Sequence, residues 1–192
     1  MKKYLLLLMT LSVNICIAQS WTKNYEYVDD WKCGLAKVEK ANKVGFVDQK
    51  GKIVIPLIYD DAYAFSEGFA AVKSDGKWGF ADSTGKEALK PQYSDVCSFS
   101  DGLAKVEKNG SCGYIDKTGN IAIGLKYTFA GNFADGLAPV CNEKGLWGYI
   151  DKTGKEAISF KYKFADSFSE GVARVMKDGK WVEIDKYGKE LK

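Results

Sequence analysis

The chain has 192 residues, of which 46% are hydrophobic and 28% are charged, with 20 glycines and no histidine. This composition is typical of a globular protein and excludes a disordered or fibrous one. The absence of histidine also excludes a Ser-His-Asp or Cys-His nucleophile, a zinc site with histidine ligands and an imidazole general base.

The first 18 residues have the pattern of a secretory signal peptide. Two lysines follow the initial Met1, an apolar run extends over 4–17, and Ala18 offers a small residue for cleavage. We therefore expect an exported protein that is periplasmic, at the cell surface or secreted. A membrane anchor is the first alternative, but the run of about 14 residues is shorter than the roughly 20 that span a bilayer. A lipid-modified Cys16 is the second, although the residues before it match a lipoprotein signal poorly.

The charge that remains after cleavage is close to zero. Without the two lysines of 1–18 the formal balance is 26 − 25 = +1. Such a chain provides no long-range field for nucleic acid or an anionic membrane. We expect no nucleic-acid partner and no stable membrane span after signal cleavage.

Four cysteines lie beyond the signal: Cys33, Cys97, Cys112 and Cys141. In an oxidising compartment an even number permits two disulfides with three possible connectivities, so their disulfide state stays open. None of them recurs at the repeat period described next. We therefore interpret them as small buried apolar residues that are incidental to the fold.

After a lead-in over 19–24, residues 25–192 consist of five copies of one unit. The spacings of 34, 34, 34 and 35 residues are marked by the glycines Gly34, Gly68, Gly102, Gly136 and Gly171. In the same frame, the units run over 25–55, 59–89, 93–123, 127–158 and 162–192. Such short units bury a core only against their neighbours, so we expect a single repeat domain.

Each unit reads as a three-stranded β-meander. In the third unit, the alternating strand 103–108 is followed by Asn109-Gly110, which favours a type I′ hairpin turn, and by the strand 112–116. A turn capped by Asp116 leads to a third strand over 120–123. The linker 93–99 spaces Tyr, Val and Phe by three, which favours a helical turn or tight arc.

The two-residue turn fixes which residues share a face of the meander. Ala104, Val106, Gly113 and Ile115 fall on one small, aliphatic face, which we expect to be the inner one. The other face carries the aromatic residues, which we expect to lie outward beneath charged side chains. Gly113 and its counterparts would let a neighbouring unit approach the backbone closely.

The predicted fold class is all-β: a tandem array of five 34-residue, three-stranded meander units. An open, twisted, solenoid-like array is favoured over a closed, propeller-like toroid. Propeller blades usually have about 40–45 residues and four strands, which these units do not match.

The stretches 76–82 (GKWGFAD) and 145–155 (GLWGYIDKTGK) resemble the WG-repeat family of bacterial proteins, also called KWG repeats. The resemblance covers 25–192. It departs at Val44 and Cys112, which replace the tryptophan, and at Val182, which breaks the dipeptide. The resemblance implies an all-β tandem array in proteins that are often exported, and it transfers no catalytic residue.

Two readings of the recurring aromatic residues remain. They could stack on sugars or peptides as a surface ladder, or they could be packing between units; the ladder would comprise Trp78, Tyr114, Trp147, Tyr149 and Trp181. Their recurrence at the repeat period favours packing, because a binding residue should break the period. We interpret the Asp-x-x-Gly turns as capped turns, since one carboxylate per turn is too few for calcium.

No residue pattern predicts catalysis, a metal or a cofactor. We therefore predict a non-catalytic exported repeat protein that acts as an interaction module for an unknown protein, peptide or glycan. The alternative is an exported hydrolase or enzyme inhibitor with a site at the unit ends, for which the sequence provides no residue evidence.

Overall fold

The computed structural model describes residues 20–191, and the predicted signal peptide over 1–18 lies outside them. A 3₁₀ helix, Ser20–Asn24, precedes five antiparallel sheets within this range. The first sheet comprises β1 (Tyr27–Val28), β2 (Leu35–Lys40), β3 (Lys43–Asp48) and β4 (Ile53–Tyr59). The second comprises β5 (Asp61–Ala62), β6 (Phe69–Ser74), β7 (Lys77–Asp82) and β8 (Glu87–Tyr93). The third comprises β9 (Asp95–Val96), β10 (Leu103–Lys108), β11 (Ser111–Asp116) and β12 (Ile121–Tyr127). The fourth comprises β13 (Phe129–Ala130), β14 (Leu137–Cys141), β15 (Trp147–Asp151) and β16 (Glu156–Tyr162). The fifth comprises β17 (Phe164–Ala165), β18 (Val172–Lys177) and β19 (Lys180–Asp185).

The predicted all-β array of five repeats is confirmed, and so is the hairpin register. In the third sheet Lys108 lies opposite Ser111 and Val106 opposite Gly113, as a two-residue turn requires. Asn109 and Gly110 have φ of 53° and 75°, which are the positive values of a type I′ turn. The register and the turn conformation both depend on a few neighbouring residues, so the local sequence is enough to predict them.

Each of the first four sheets has four strands, which corrects the predicted three. The linker does not form a helical turn, because Asp95 and Val96 pair as a short strand with the free edge of β10. The spacing of three has another cause. Tyr93 ends the long strand of one sheet, Val96 lies in the first strand of the next and Phe99 in the bend, and all three point into the core.

The glycine after the tryptophan position lets the fourth strand cross close to the third. The fourth strand is bulged, because 78–80 lies opposite the longer stretch 89–93. A Cβ atom on Gly79 would lie 2.3 Å from the carbonyl oxygen of Leu89. The same closeness, at 2.5, 2.6 and 2.7 Å, occurs at Gly45, Gly113 and Gly148. The expectation that a neighbouring unit approaches this glycine is therefore wrong, because the approaching backbone belongs to the same sheet.

Successive sheets stack with the aromatic face of one against the small aliphatic face of the next. The cluster between the second and third sheets contains Trp78, Phe80 and Tyr93 from one and Ala104, Val106 and Ile115 from the other. Equivalent clusters join the other consecutive sheets. The predicted outer face of aromatics beneath charged side chains is thus wrong for the inner repeats, because the next sheet covers it.

An aromatic pair recurs at every one of these interfaces. A ring on the third strand contacts the phenylalanine of the following linker, with centroids 4.8–5.0 Å apart, in the pairs Phe46–Phe65, Phe80–Phe99, Tyr114–Phe133 and Tyr149–Phe168. Burial of one such ring stabilises the fold by about 1.5–3 kcal/mol.

Hydrogen bonds from each linker to the next reinforce the stacking. The Ser66 hydroxyl donates to the Phe99 carbonyl at 2.8 Å, and Ser100 donates to Phe133 at 2.7 Å. The acid that follows accepts from the next repeat's glycine N–H, in the pairs Glu67–Gly102, Asp101–Gly136 and Asp135–Gly171. The repeat period of the F-x-[DE]-G motif therefore reflects contacts between sheets as well as within them.

The two ends of the array differ. Trp21 of the lead-in and Tyr25 at the start of the first repeat pack on the aliphatic face of the first sheet. The aromatic face of the fifth sheet is uncovered, since Trp181 is 47% exposed. Every hydrophobic cluster within residues 20–191 joins consecutive sheets or the lead-in, and none joins the first sheet to the last. The array is therefore open in this part of the chain.

The four cysteines beyond the signal are all free thiols. Cys112 and Cys141 are buried, as predicted, and burial raises the pKa of both thiols. Cys97 is half-buried, whereas Cys33 is exposed, which corrects the expectation for that residue.

The Asp-x-x-Gly turns are capped as predicted. Asp116 Oδ1 accepts from the N–H groups of Thr118 and Asn120 at 2.8 and 3.0 Å and from the Thr118 hydroxyl at 2.6 Å. The hydrogen bond from the Thr118 hydroxyl, followed by the backbone bonds, lowers the pKa of Asp116 below its ordinary value. The stabilisation from this carboxylate is present above that ordinary value and is lost as the pH falls through the lowered pKa.

We expect Gly113→Ala to destabilise the protein by about 3 kcal/mol or more, because the new Cβ would lie 2.6 Å from the Ile123 carbonyl oxygen. Gly124→Ala is the matched control on the adjacent strand, where a Cβ meets nothing within 4 Å. Urea unfolding of the two variants measures the difference. Equal stabilities would show that the fourth strand shifts without penalty.

We expect Thr118→Val to raise the pKa of Asp116 towards its ordinary value and to move acid unfolding to higher pH. The loss of the hydroxyl donor is the reason. An NMR titration of the side-chain carboxyls measures the change, with Asp151 as the reference in the same sample because its own Thr153 is untouched. An unchanged Asp116 titration would assign the shift to the backbone bonds alone.

Candidate interaction surface

The structure places the five predicted ladder residues in different environments. Tyr114 and Tyr149 have no exposed surface, and Trp78 is only 5% exposed. Trp147 is half-buried, and Trp181 is 47% exposed. The prediction of one continuous surface ladder is therefore wrong for Trp78, Tyr114 and Tyr149, because the following sheet covers these rings. Ligand binding by Trp147 and Trp181 stays a prediction.

The two buried tyrosines have a structural role. The Tyr114 hydroxyl donates to the Gly131 carbonyl at 2.7 Å, and the Tyr149 hydroxyl donates to the Asp166 carbonyl at 2.8 Å. Burial raises the pKa of both phenols, so both stay protonated donors. Each tyrosine thus connects its own sheet to the linker of the next.

Trp147 and Trp181 belong to a different surface, which we call the aromatic strip and define as Phe129, Trp147, Phe164 and Trp181. Successive ring centroids are 6.3, 5.1 and 5.6 Å apart, so the four rings form an unbroken series across two sheets. Phe129 is 59% exposed and Phe164 is 41% exposed. A contiguous exposed apolar patch of this kind marks an interaction site far more often than scattered apolar residues do.

The register of the sheets positions these rings. In the fourth sheet, Phe129 and Trp147 flank Cys141 on one face. In the fifth sheet, Phe164 and Trp181 flank Met176 in the same way. The contact between Trp147 and Phe164 links the two rows.

Part of the aromatic strip departs from the repeat, whereas Trp147 and Trp181 stand at the recurring tryptophan position of Trp78. The position of Phe129 and Phe164 is occupied by Tyr27, Asp61 and Asp95 in the first three repeats. The central position of the row, Cys141 or Met176, holds Glu39, Lys73 and Glu107 there. Sequence analysis missed Phe129 and Phe164, although the criterion that a binding residue should break the period would have found them.

One charged pair lies beside the strip. The Arg174 guanidinium lies 5.3 Å from the Trp181 ring centroid, which suits a cation–π contact. Its Nε and Nη2 donate to Asp166 Oδ2 at 3.1 and 3.0 Å. Arg174 and Phe164 therefore both contact the Trp181 ring, which stays 47% exposed.

Among the described residues, the buried charged side chain is Lys105, and it has a structural role. Lys105 is buried; burial lowers the pKa of its ammonium, but the ion pair with Asp95 outweighs this and raises it. A lysine that stays charged is no nucleophile. Within residues 20–191, no group of three or more His, Cys, Asp or Glu side chains is arranged to hold a metal ion.

We expect Trp78→Ala to destabilise the protein by about 3–5 kcal/mol, because it removes a fully packed ring from a core. Trp181→Ala is the matched variant at the same repeat position, and we expect it to cost less than about 1 kcal/mol, because nearly half of that ring is exposed. Thermal and urea unfolding compare the two. A large loss for Trp181→Ala would make its ring part of the core.

Comparisons with known proteins agree with this architecture. The family model described as "WG containing repeat" matches residues 45–78, 78–112, 113–145 and 147–181. No curated protein sequence matches the chain.

Among solved structures, the chain is similar to β-propeller and β-repeat proteins. The computationally designed Ika8 protein has a TM-score of 0.57 at 14% identity, covering 86% of this chain and 60% of that one. Hsv2 from Kluyveromyces marxianus has a TM-score of 0.54 at 13% identity, covering 84% of this chain and 63% of that one. BamB from Moraxella catarrhalis has a TM-score of 0.51 at 16% identity, covering 86% and 59%.

This chain thus spans about three-fifths of the length of these structures, and the low identities show a common fold alone. Four tandem matches over most of the five sheets, with the tryptophan and glycine in the positions described above, show that the chain belongs to the WG-containing-repeat family.

Proposed function

We propose that this protein is a non-catalytic interaction module that binds a partner across the aromatic strip. The observation that carries the proposal is a series of four rings in successive contact that are exposed or half-buried. Two of them, Phe129 and Phe164, stand where the second and third repeats have aspartate. Aromatic residues are enriched where partners bind, because they bury a large area with few rotatable bonds.

The scaffold suits this role. The strip lies on β13, β15, β17 and β19, strands whose backbones are fixed by pairing and by the stacked cores beneath them. A rigid surface loses little conformational entropy when it binds, so more of the contact energy appears as affinity.

The ring geometry favours a polypeptide over a sugar. Successive interplanar angles of 10°, 44° and 74° mean that the four rings share no common plane. A glycan stacks best on flat ring faces with polar groups beside them, whereas a ridged apolar surface matches the apolar side chains of a peptide or protein. We therefore favour a protein or peptide ligand, with a glycan as the alternative outcome of the test.

We further propose that the protein acts outside the cytoplasm. The support is the signal-peptide pattern of 1–18. Within residues 20–191 no helix is long and apolar enough to cross a membrane.

We expect the fluorescently labelled protein to bind reproducibly to members of a combined peptide and glycan array, and Trp147→Ala and Phe164→Ala to weaken these signals at least tenfold. The lost rings lie at the centre of the strip. Tyr187→Ala is the control, because that ring is 92% exposed but outside the strip.

The proposal fails if the strip variants keep all array signals, or if Tyr187→Ala loses them equally. Signals confined to glycans would replace the polypeptide ligand by a sugar. An array without signals, together with hydrolytic activity of the wild type, would favour an enzyme.

A further inference from the structure

A groove of about 480 Å³ lies between the third and fourth sheets, next to the aromatic strip. Its lining includes Lys126, Tyr127, Asn142, Glu143, Glu156 and Phe160. Phe129 of the strip follows Tyr127 by two residues, and the Thr128 hydroxyl between them donates to the Asn142 carbonyl at 3.3 Å. Since consecutive Cα atoms are about 3.8 Å apart, the groove begins within about 8 Å of the strip.

The buried part of the lining is apolar. Tyr127 and Ile150 belong to the core cluster that joins the two sheets, and the half-buried Phe160 packs against this cluster. The groove therefore offers two aromatic rings and an aliphatic side chain to the stem of a long side chain.

The exposed part of the lining carries an excess of negative charge. Glu143 and Glu156 are exposed, and within residues 20–191 neither carboxylate forms an ion pair. The cation of the lining is Lys126, whose ammonium lies 5.4 Å from the centroid of the Tyr127 ring. Two carboxylates and one ammonium give the lining a formal charge of about −1, which suits a cationic ligand group.

This charge excess is particular to the groove beside the strip. The hairpin with Glu143 has five residues between its last paired positions, 141 and 147, where the third sheet has four between 107 and 112. Phe160 also stands where the first three repeats have leucine or proline. The corresponding groove between the first and second sheets is lined by two acids and two lysines, whose charges cancel: Asp75, Glu87, Lys77 and Lys90.

From these observations we infer that the groove binds an arginine side chain of the polypeptide that contacts the aromatic strip. The inference rests on the proposed function and deepens it, because it names a charged residue that the ligand carries beside its apolar anchor. A guanidinium suits the lining better than an ammonium does. It is less strongly hydrated, it pairs with carboxylates through several N–H groups, and its flat face packs on aromatic rings.

The distance between groove and strip sets the spacing in the ligand. An extended polypeptide rises about 3.3 Å per residue, so about 8 Å corresponds to two or three residues. We therefore expect an arginine two to four positions from the aromatic or large aliphatic residue that contacts Phe129.

A library of random dodecapeptides displayed on phage, selected on the purified protein, tests the inference. We expect enriched peptides with an arginine at this spacing from an aromatic or large aliphatic residue. In a synthetic copy of the best binder, replacement of the arginine by citrulline should weaken binding at least tenfold, because citrulline keeps the shape and loses the charge. Equal affinity of the two peptides would overturn the inference.

Three variants locate the arginine on the protein. We expect Glu156→Gln to weaken the peptide about fivefold, and Lys126→Gln to strengthen it about threefold because a competing cation is removed. Glu87→Gln is the matched control at the same position of the second repeat, away from the strip, and should change the affinity less than about twofold. A merely structural role of these side chains would not give changes of opposite sign, and thermal unfolding checks that each variant is folded.

The outcomes separate this inference from the proposed function. If Glu156→Gln and Lys126→Gln leave binding unchanged while Trp147→Ala abolishes it, the strip is the contact and the groove site is wrong. If both groove variants act as expected while Trp147→Ala has no effect, the groove site is correct and the strip is not the contact. A selection that enriches acidic peptides, or none, overturns the inference.

Discussion

The contact between an aromatic ring on the third strand and the phenylalanine of the next linker holds this array together. It recurs at four interfaces with nearly the same separation, and at each one it lies within a cluster that neither sheet could bury alone. Because both faces of an inner sheet are apolar and packed on neighbouring sheets, a single repeat would expose both faces to water. The stability of the fold therefore comes largely from contacts between neighbouring sheets, as expected for a linear repeat protein.

The sequence predicts the parts of this arrangement that are set locally. The Asn109-Gly110 turn fixes the hairpin register, and the Asp116 carboxylate caps its own turn, so both could be derived from a few residues. The short strand at Val96 could not, because it forms only when the linker meets the free edge of β10. The burial of Tyr114 was missed for a similar reason. Alternation along a strand shows that two residues lie on opposite faces, but it does not show that a second sheet covers the outer one.

The candidate surface also contains residues that the repeat pattern explains and residues that it does not. A residue that recurs at the period is explained by packing, as the hydrogen bond from Tyr149 to the next linker illustrates. A residue that departs from the period does not make the packing contact that its counterparts make. Phe129 and Phe164 replace charged or polar counterparts without filling a core, so their exposure has no packing explanation. Interaction residues in a repeat protein are therefore best sought by comparing repeats with one another and selecting the departures.

The fifth repeat combines two such departures. Glu183 stands where the other repeats place the ring of the recurring aromatic pair, so the outer face of the fifth sheet lacks the ring that joins the inner sheets. Val182 stands where the others have glycine, so a strand cannot cross this position as closely as it does at Gly148. Neither residue repeats the packing role of its counterparts, and Trp181 beside them is 47% exposed within the aromatic strip. The departures of the fifth repeat therefore fall where the strip is exposed, which is what a comparison of repeats leads us to expect of an interaction surface.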